Sequence, residues 1–330
     1  MKFLEHFSPF ISKIFLLGIA VALAPAAFAQ QAYPSKPMRL ILPFPAGGGP
    51  DVIMRRTGND LLPRLGQPLI IENRPGGNFV IGAEACARAA ADGYTLCHIN
   101  STQMSVNPHV MAKLSYDVDK DFRPITNLYS LVSGIFISAA LAPNTMKEFE
   151  AFTKARPGAI NFSTHGSNTP TDIYRRWLND RWKTDMVGIG YKDGTAMISA
   201  LLAGDVHFVW IGFFNALGQI QAKKVKMLAI SSLKRYPMFP EVPTFTEVGI
   251  ADAPMTSWQG LAAPGGTPDA VIRRINSEVL RLYREPQFGE FLVAQGVDNM
   301  AGTPEEFAEY MKQDRAMEAE VVRNFNIPRQ

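Results

Sequence analysis

The chain has 330 residues, of which 47% are hydrophobic and 19% charged, an ordinary globular balance with length enough for two cores. A net charge of +3 offers no basic field for nucleic acid. The five His and two Cys show neither H-x-x-x-H nor C-x-x-C spacing, so no metal site and no cofactor are expected.

The first element is a processing signal. Lys2 and Lys13 supply positive charge, Ile14 to Ala24 is apolar, and Ala27-Phe28-Ala29 forms a cleavage site ahead of Gln30. The apolar run falls short of the roughly 20 residues that span a bilayer. A signal peptide over 1–29 is expected, cleaved at about Ala29-Gln30, leaving a soluble periplasmic protein. No Cys follows the cleavage site, which argues against a lipid anchor.

Met38 to Leu42 reads as a strand and Pro50 to Leu65 as a helix. Leu69 to Glu72 is a second strand, Val80 to Ala90 a helix, and Tyr94 to Asn100 a third strand. This alternation implies a parallel sheet with right-handed crossovers, an α/β architecture. Cys86 and Cys97 fall on that helix and the strand after it. A disulfide and two small buried hydrophobes are equally compatible with the pattern.

The grammar restarts near residue 132. Strands are expected at Ser133 to Ala139, Ile160 to Ser163, Met186 to Gly190, Val206 to Gly212 and Val225 to Ser231. Helices are expected at Thr145 to Ala155, Pro170 to Trp182 and Thr195 to Ala203. A strand at Trp258 to Ala262 precedes helices at Asp269 to Tyr283, Gln287 to Gln295 and Pro304 to Asn324. The pattern divides into lobe I, residues 30–131 plus 256–330, and an inserted lobe II, residues 132–255.

Loops after strands carry the chemistry. In Phe44-Pro45-Ala46-Gly47-Gly48-Gly49-Pro50-Asp51 the glycines let backbone N–H groups converge, and Pro50 suits a helix first turn. That helix N-terminus would favour an anionic oxygen. The loop is not a nucleotide fingerprint, because neither G-x-G-x-x-G nor G-K-[ST] is present. Ser101 and Thr102 follow the third strand, His165-Gly166-Ser167-Asn168-Thr169 opens a helix, and Tyr191-Lys192-Asp193 precedes another. Such loops lie beyond the carboxyl ends of strands, where open α/β sheets bind ligands. Lys192 is their one cation, so backbone N–H groups and hydroxyls, rather than an arginine clamp, would hold a carboxylate. Trp210, Phe213 and Phe214 read first as core. Lining a pocket, they would suit an aromatic acid such as a phthalate isomer, while a nonaromatic dicarboxylate or citrate fits the polar loops equally well. His98 and His207, inside apolar strands, read as satisfied core histidines. No nucleophile elbow or H-E-x-x-H occurs; a hydrolase using His165 and Asp172 is the remaining catalytic reading.

Over nearly its whole mature length the chain resembles the tripartite tricarboxylate transporter receptors, the Bug or TctC-like family. The resemblance runs through Tyr33-Pro34-Ser35-Lys36-Pro37, Leu42 to Asp51, Glu72-Asn73-Arg74-Pro75-Gly76, Ala91-Asp92-Gly93-Tyr94 and Asn107-Pro108. It continues in Asn161-Phe162-Ser163, Tyr191-Lys192, Thr256-Ser257-Trp258, Ala263 to Pro268 and Gly302 to Phe307. It implies a type II periplasmic-binding-protein fold, with two lobes joined by a two-crossing hinge and no catalysis. It also implies a protein that hands a small organic carboxylate to transporter membrane subunits, or signals to a sensor kinase; a monomer is expected. By the same resemblance the ligand would meet Phe44, Ala46, Gly47, Gly48, Gly49 and Asp51 on one side. Opposite would stand His165, Gly166, Ser167, Asn168, Thr169, Tyr191 and Asp193; Phe213 joins the expected site from the apolar-pocket reading of its strand end. The chain departs from the family pattern at Pro50, Asn168, Asp172, Asp193, His207 and Ile211, all on the ligand side.

Overall fold

The structure is a computed structural model that describes residues 33–167, 169–254 and 257–329. The expected signal peptide and Asn168 lie outside these residues. Strands β1 (Met38–Leu42), β2 (Leu69–Asn73) and β3 (Thr95–Asn100) run parallel in the order β2-β1-β3. Helices α1 (Gly49–Leu65) and α2 (Val80–Ala87) make the crossovers. Leu40 and Leu42 meet Ile53, Met54 and Leu61 of α1, while Ile41 points to the other face with Ala83, Cys86 and Ile99. Both faces are covered over Leu40–Leu42, which is why these three residues are consecutively apolar, while Arg39 before them is exposed.

Cys86 of α2 and Cys97 of β3 are joined in a disulfide, with their Cα atoms 5.9 Å apart. Closing so short a loop restricts the unfolded chain by about 2–3 kcal/mol. The double serine variant is expected to lose that much in urea unfolding, and a loss near zero would refute the contribution.

A π-helical turn over Thr102–Val106 leads into the short helix α3 (Asn107–Val110) and then β4 (Phe122–Leu131). One residue later the chain is in a different sheet, beginning with β5 (Ser133–Ser138). The second region runs α4 (Met146–Lys154), β6 (Asn161–Thr164), α5 (Pro170–Trp182), β7 (Val187–Gly190), α6 (Gly194–Ala203), β8 (Val209–Gly212), α7 (Leu217–Gln221) and β9 (Val225–Ile230). Strands order β8-β5-β9, and the parallel pair β6-β7 joins them through a bridge from Phe162 to Phe208. Cores on its two faces centre on Met197, Leu201 and Phe213, and on Phe149, Phe162 and Trp210.

The chain returns to the first sheet at β10 (Trp258–Pro264), followed by α8 (Asp269–Tyr283), α9 (Pro286–Ala294), β11 (Val297–Asn299) and α10 (Pro304–Asn324). The completed six-stranded order is β11-β4-β10-β3-β1-β2, with β10 antiparallel to both β3 and β4. The first sheet is therefore mixed, not wholly parallel, because its last three strands do not arrive through βαβ crossovers. A capping box starts α10: Thr303 Oγ1 accepts the Glu306 N–H, and Glu306 Oε2 accepts the Thr303 N–H. The far end of α10 rests on α5, where Val321 and Ile327 bury Ile173. Arg176 Nη1 donates to the Phe325 carbonyl across the same contact.

Candidate ligand-binding site

A cavity of about 740 Å³ opens between the two sheets. Ser130 of β4, Ser257, Asp298 of β11, Met300 and Tyr310 of α10 line one side. The other carries His165, Thr171, Tyr174, Lys192, Asp193, Gly194, Trp210 and Phe245.

The first turns of two helices reach the cavity, at Pro170–Thr171 of α5 and at Gly194 of α6. The backbone N–H groups at the start of a helix carry partial positive charge, which draws an anion. Asp193 caps α6, its Oδ1 accepting the Ala196 N–H at 2.8 Å. The α5 loop is held from within: Thr169 Oγ1 donates to the Gly166 carbonyl at 2.7 Å, and the His165 N–H donates to Thr171 Oγ1 at 2.9 Å. Desolvation lowers the His165 pKa against the opposing pull of Asp193, so the ring is neutral at neutral pH.

The apolar wall is built on Trp210. Its ring stacks on Tyr174 with centroids 4.1 Å apart and meets Phe245 edge-on at 5.0 Å. Its Nε1–H donates to Ser133 Oγ at 3.0 Å, so the indole is fixed at both ends.

The glycine loop of the first sheet is organised by Asp51. Its Oδ2 accepts the Gly47 N–H at 2.9 Å and Arg55 Nε at 2.8 Å, and its Oδ1 accepts Asn73 Nδ2 at 2.9 Å. Burial pushes this carboxyl up, but those bonds from Arg55, Gly47 and Asn73 outweigh it and hold the pKa down at about 2. Asn73 Nδ2 also donates to the Phe44 carbonyl, tying the loop at its start. Gly47 sits at φ +81°, a conformation that side chains disfavour.

Residues 53–327 match the model of the tripartite tricarboxylate transporter family receptor. The chain belongs to this receptor family. It is 30% identical over 303 residues to a UPF0065 protein from the tcbD-tcbE intergenic region of Pseudomonas sp. strain P51, covering 91% of this chain and 90% of that one. The solved periplasmic binding protein BugD is 27% identical, with a TM-score of 0.70 over 90% of this chain and all of BugD. MatC from Rhodopseudomonas palustris, solved with bound malate, is 26% identical, with a TM-score of 0.67 over 88% of this chain and 100% of MatC. The mixed α/β periplasmic-binding-protein fold is common to these receptors.

Within this receptor the expected site residues separate. His165 and Asp193 line the cavity, and so do their neighbours Thr171, Lys192 and Gly194. Gly166 and Thr169 shape the α5 loop, Ser167 is exposed beside them, and Tyr191 packs half-buried on the adjacent core. Phe44, Ala46, Gly47, Gly48, Gly49 and Asp51 lie outside the cavity lining, as do Ser101, which is buried, and half-buried Thr102.

Three expectations need correction. Phe213 is wholly buried, packed between Phe214, Tyr236 and Phe239, and has no face left for a ligand. Asp51 and the Gly47 N–H satisfy each other, so neither faces a ligand. At the start of the helix the N–H groups of Gly49 and Asp51 have no partner among the described residues, while Pro50 has no N–H and the Gly48 N–H donates to the Pro45 carbonyl. Asp172, read as a ligand-side position and as the partner of His165 in a hydrolase, is instead bound by Arg175 and Arg176, each of which donates two bonds to its carboxylate.

Other groups were not legible as site residues. Asn78 and Phe79 hold positive φ and are pinned by Asn107 Nδ2 and Gln103 Nε2, which donate to their carbonyls. This keeps the Phe79 ring 5.0 Å from Phe44. The Asn107-Pro108 and Glu72-Asn73-Arg74 segments were the available signals. Asp298 and Ser232 carried none, because they come from segments far apart in the chain, and Thr256-Ser257-Trp258 was the one signal for Ser257.

Proposed function

We propose that the mature protein is a periplasmic solute-binding receptor that captures a small organic carboxylate and passes it to the membrane subunits of a tripartite tricarboxylate transporter. Residues 30–131 with 256–330 act as one lobe and 132–255 as the other, in a type II arrangement. The two crossings, at Leu131–Ser133 and near Ser257, are the hinge. The observation that carries this reading is the cavity between the two sheets, with the N-terminal turns of α5 and α6 opening into it. A carboxylate placed there gains from both helix ends without needing an arginine. Closure would bring the glycine loop over it as the opposing wall.

The stacked Trp210 and Tyr174 favour an acid with a ring or another flat apolar body. A catalytic role finds no support in His165 and Asp172, since the Asp172 oxygens are taken up by two arginines. Titration calorimetry and thermal shift of the mature protein with a panel of aromatic and aliphatic acids test the function. Saturation at about 100 times Kd is expected to add roughly 2.7 kcal/mol of stability. No heat and no shift with any acid would overturn it. Trp210→Ala should weaken a bound aromatic acid by about tenfold or more, and unchanged affinity would remove the ring from the reading.

A further inference from the structure

The charges lining the cavity do not suit a dianion. Among the described lining residues there is one cation, Lys192, and two carboxylates, Asp193 and Asp298. Lys192 Nζ lies 4.0 Å from Asp193 Oδ2, so these two offset each other. Asp298 remains. It is half-buried, and its donors are both neutral: Ser232 Oγ at 2.8 Å on Oδ1 and the Leu233 N–H at 3.0 Å on Oδ2. Each of its oxygens keeps a lone pair.

We propose that the ligand is a monocarboxylate bearing a second, donating group, an ammonium or a hydroxyl, and that Asp298 is the acceptor that selects it. This rests on the receptor reading above. The carboxylate end sits at the helix turns beside Thr171 and Gly194, and the donor end at Asp298, near Ser130 and Ser257. Two anionic ends would set one ligand carboxylate against an Asp298 charge that no cation among the described residues offsets, which is the repulsion by which sites reject a wrong partner. Burial raises the Asp298 pKa against the hydrogen bonds from Ser232 and Leu233, so its charge is under-solvated and gains from a further donor.

The test uses matched skeletons on the mature protein: benzoate, 4-hydroxybenzoate, 4-(aminomethyl)benzoate and terephthalate, with hexanoate, 6-hydroxyhexanoate, 6-aminohexanoate and adipate. Within the better-bound series, the amino or hydroxy acid is expected to bind at least about tenfold more tightly than both the donor-free acid and the diacid. The amino and hydroxy arms separate the two donor types. Asp298→Asn keeps an acceptor for Ser232 or Leu233 and adds an N–H₂ donor, so it should lose the preference and gain the diacid. A diacid or donor-free acid binding most tightly to the wild type would overturn the proposal, whatever the variant does. So would a variant with the wild-type ranking. Acids that bind without a donor preference overturn this inference alone, whereas no binding by any acid overturns the receptor function with it.

Discussion

Asp172→Ala is expected to destabilise the receptor by about 3–5 kcal/mol and to lower its melting temperature by on the order of 10 °C. Asp172 is buried in the first turn of α5, where its charge also complements the helix N-terminus. Arg175 binds Oδ1 through Nε and Nη2, and Arg176 binds Oδ2 in the same way, at distances of 2.7–3.0 Å. Removing the carboxylate takes two hydrogen bonds from each of two partly buried guanidinium groups, and breaking a buried ionic cluster by deleting one partner costs more than the intact cluster contributes. Arg175 also donates to the Met186 carbonyl and Arg176 to the Phe325 carbonyl. Because Arg176 also ties α5 to the end of α10, the loss should loosen the contact around Ile173, Val321 and Ile327. Chemical denaturation read by fluorescence checks the magnitude. A loss under about 1 kcal/mol, the ordinary scale of a surface pair, would show that the arginines simply turn to solvent.

The parallel part of the fold was legible because β1, β2 and β3 are short apolar runs with helical periodicity between them. The antiparallel part was not, and β4 shows why. Its segment Phe122 to Leu131 contains Arg123, Pro124 and Asn127, which read as loop. Pro124 stands opposite Ala262, where the register with β10 shifts between Leu261 and Ala262, and an irregularity of this kind is where a strand admits proline. β11 has only three residues, too few for any period to emerge. For the site, the sequence placed anion-binding turns at helix starts but left open which side chains turn inward. Asp51 illustrates the gap: as a helix-start acid it reads as cap or ligand contact, yet its partner is the Gly47 N–H four residues back. Phe213 and Trp210 lie close together near the end of one apolar strand, and only packing against Tyr236 and Tyr174 separates core from cavity wall.

His98 departs furthest from the expectation of a satisfied core histidine, and it leads to a pH effect. It lies on β3, wholly buried, with neither ring nitrogen paired among the described residues. Phe44 meets it edge-on at 5.5 Å, and Tyr129 stands 6.3 Å away. Burial pushes its pKa down to about 3. The folded protein therefore holds His98 neutral, while the unfolded chain takes up its proton below about pH 6.5. The stability this confers is complete above pH 6.5 and falls by about 1.4 kcal/mol per pH unit on acidification, until the folded pKa is reached near 3. Between pH 7 and pH 5 the expected loss from this group is about 2 kcal/mol. His109, His165 and His207 are also lowered by desolvation and act in the same direction, whereas Asp298, raised by burial, acts oppositely. Asp51 enters only below pH 3.8, as its own carboxylate is protonated towards about 2. His98→Leu keeps an apolar body at the site and cannot titrate, so its loss between pH 7 and pH 5 should be smaller than that of the wild type by about 2 kcal/mol. Equal acid slopes in urea unfolding of the two proteins would mean that the folded state protonates His98 as readily as the unfolded chain does. The same charge would then sit beneath Phe44, at the root of the glycine loop.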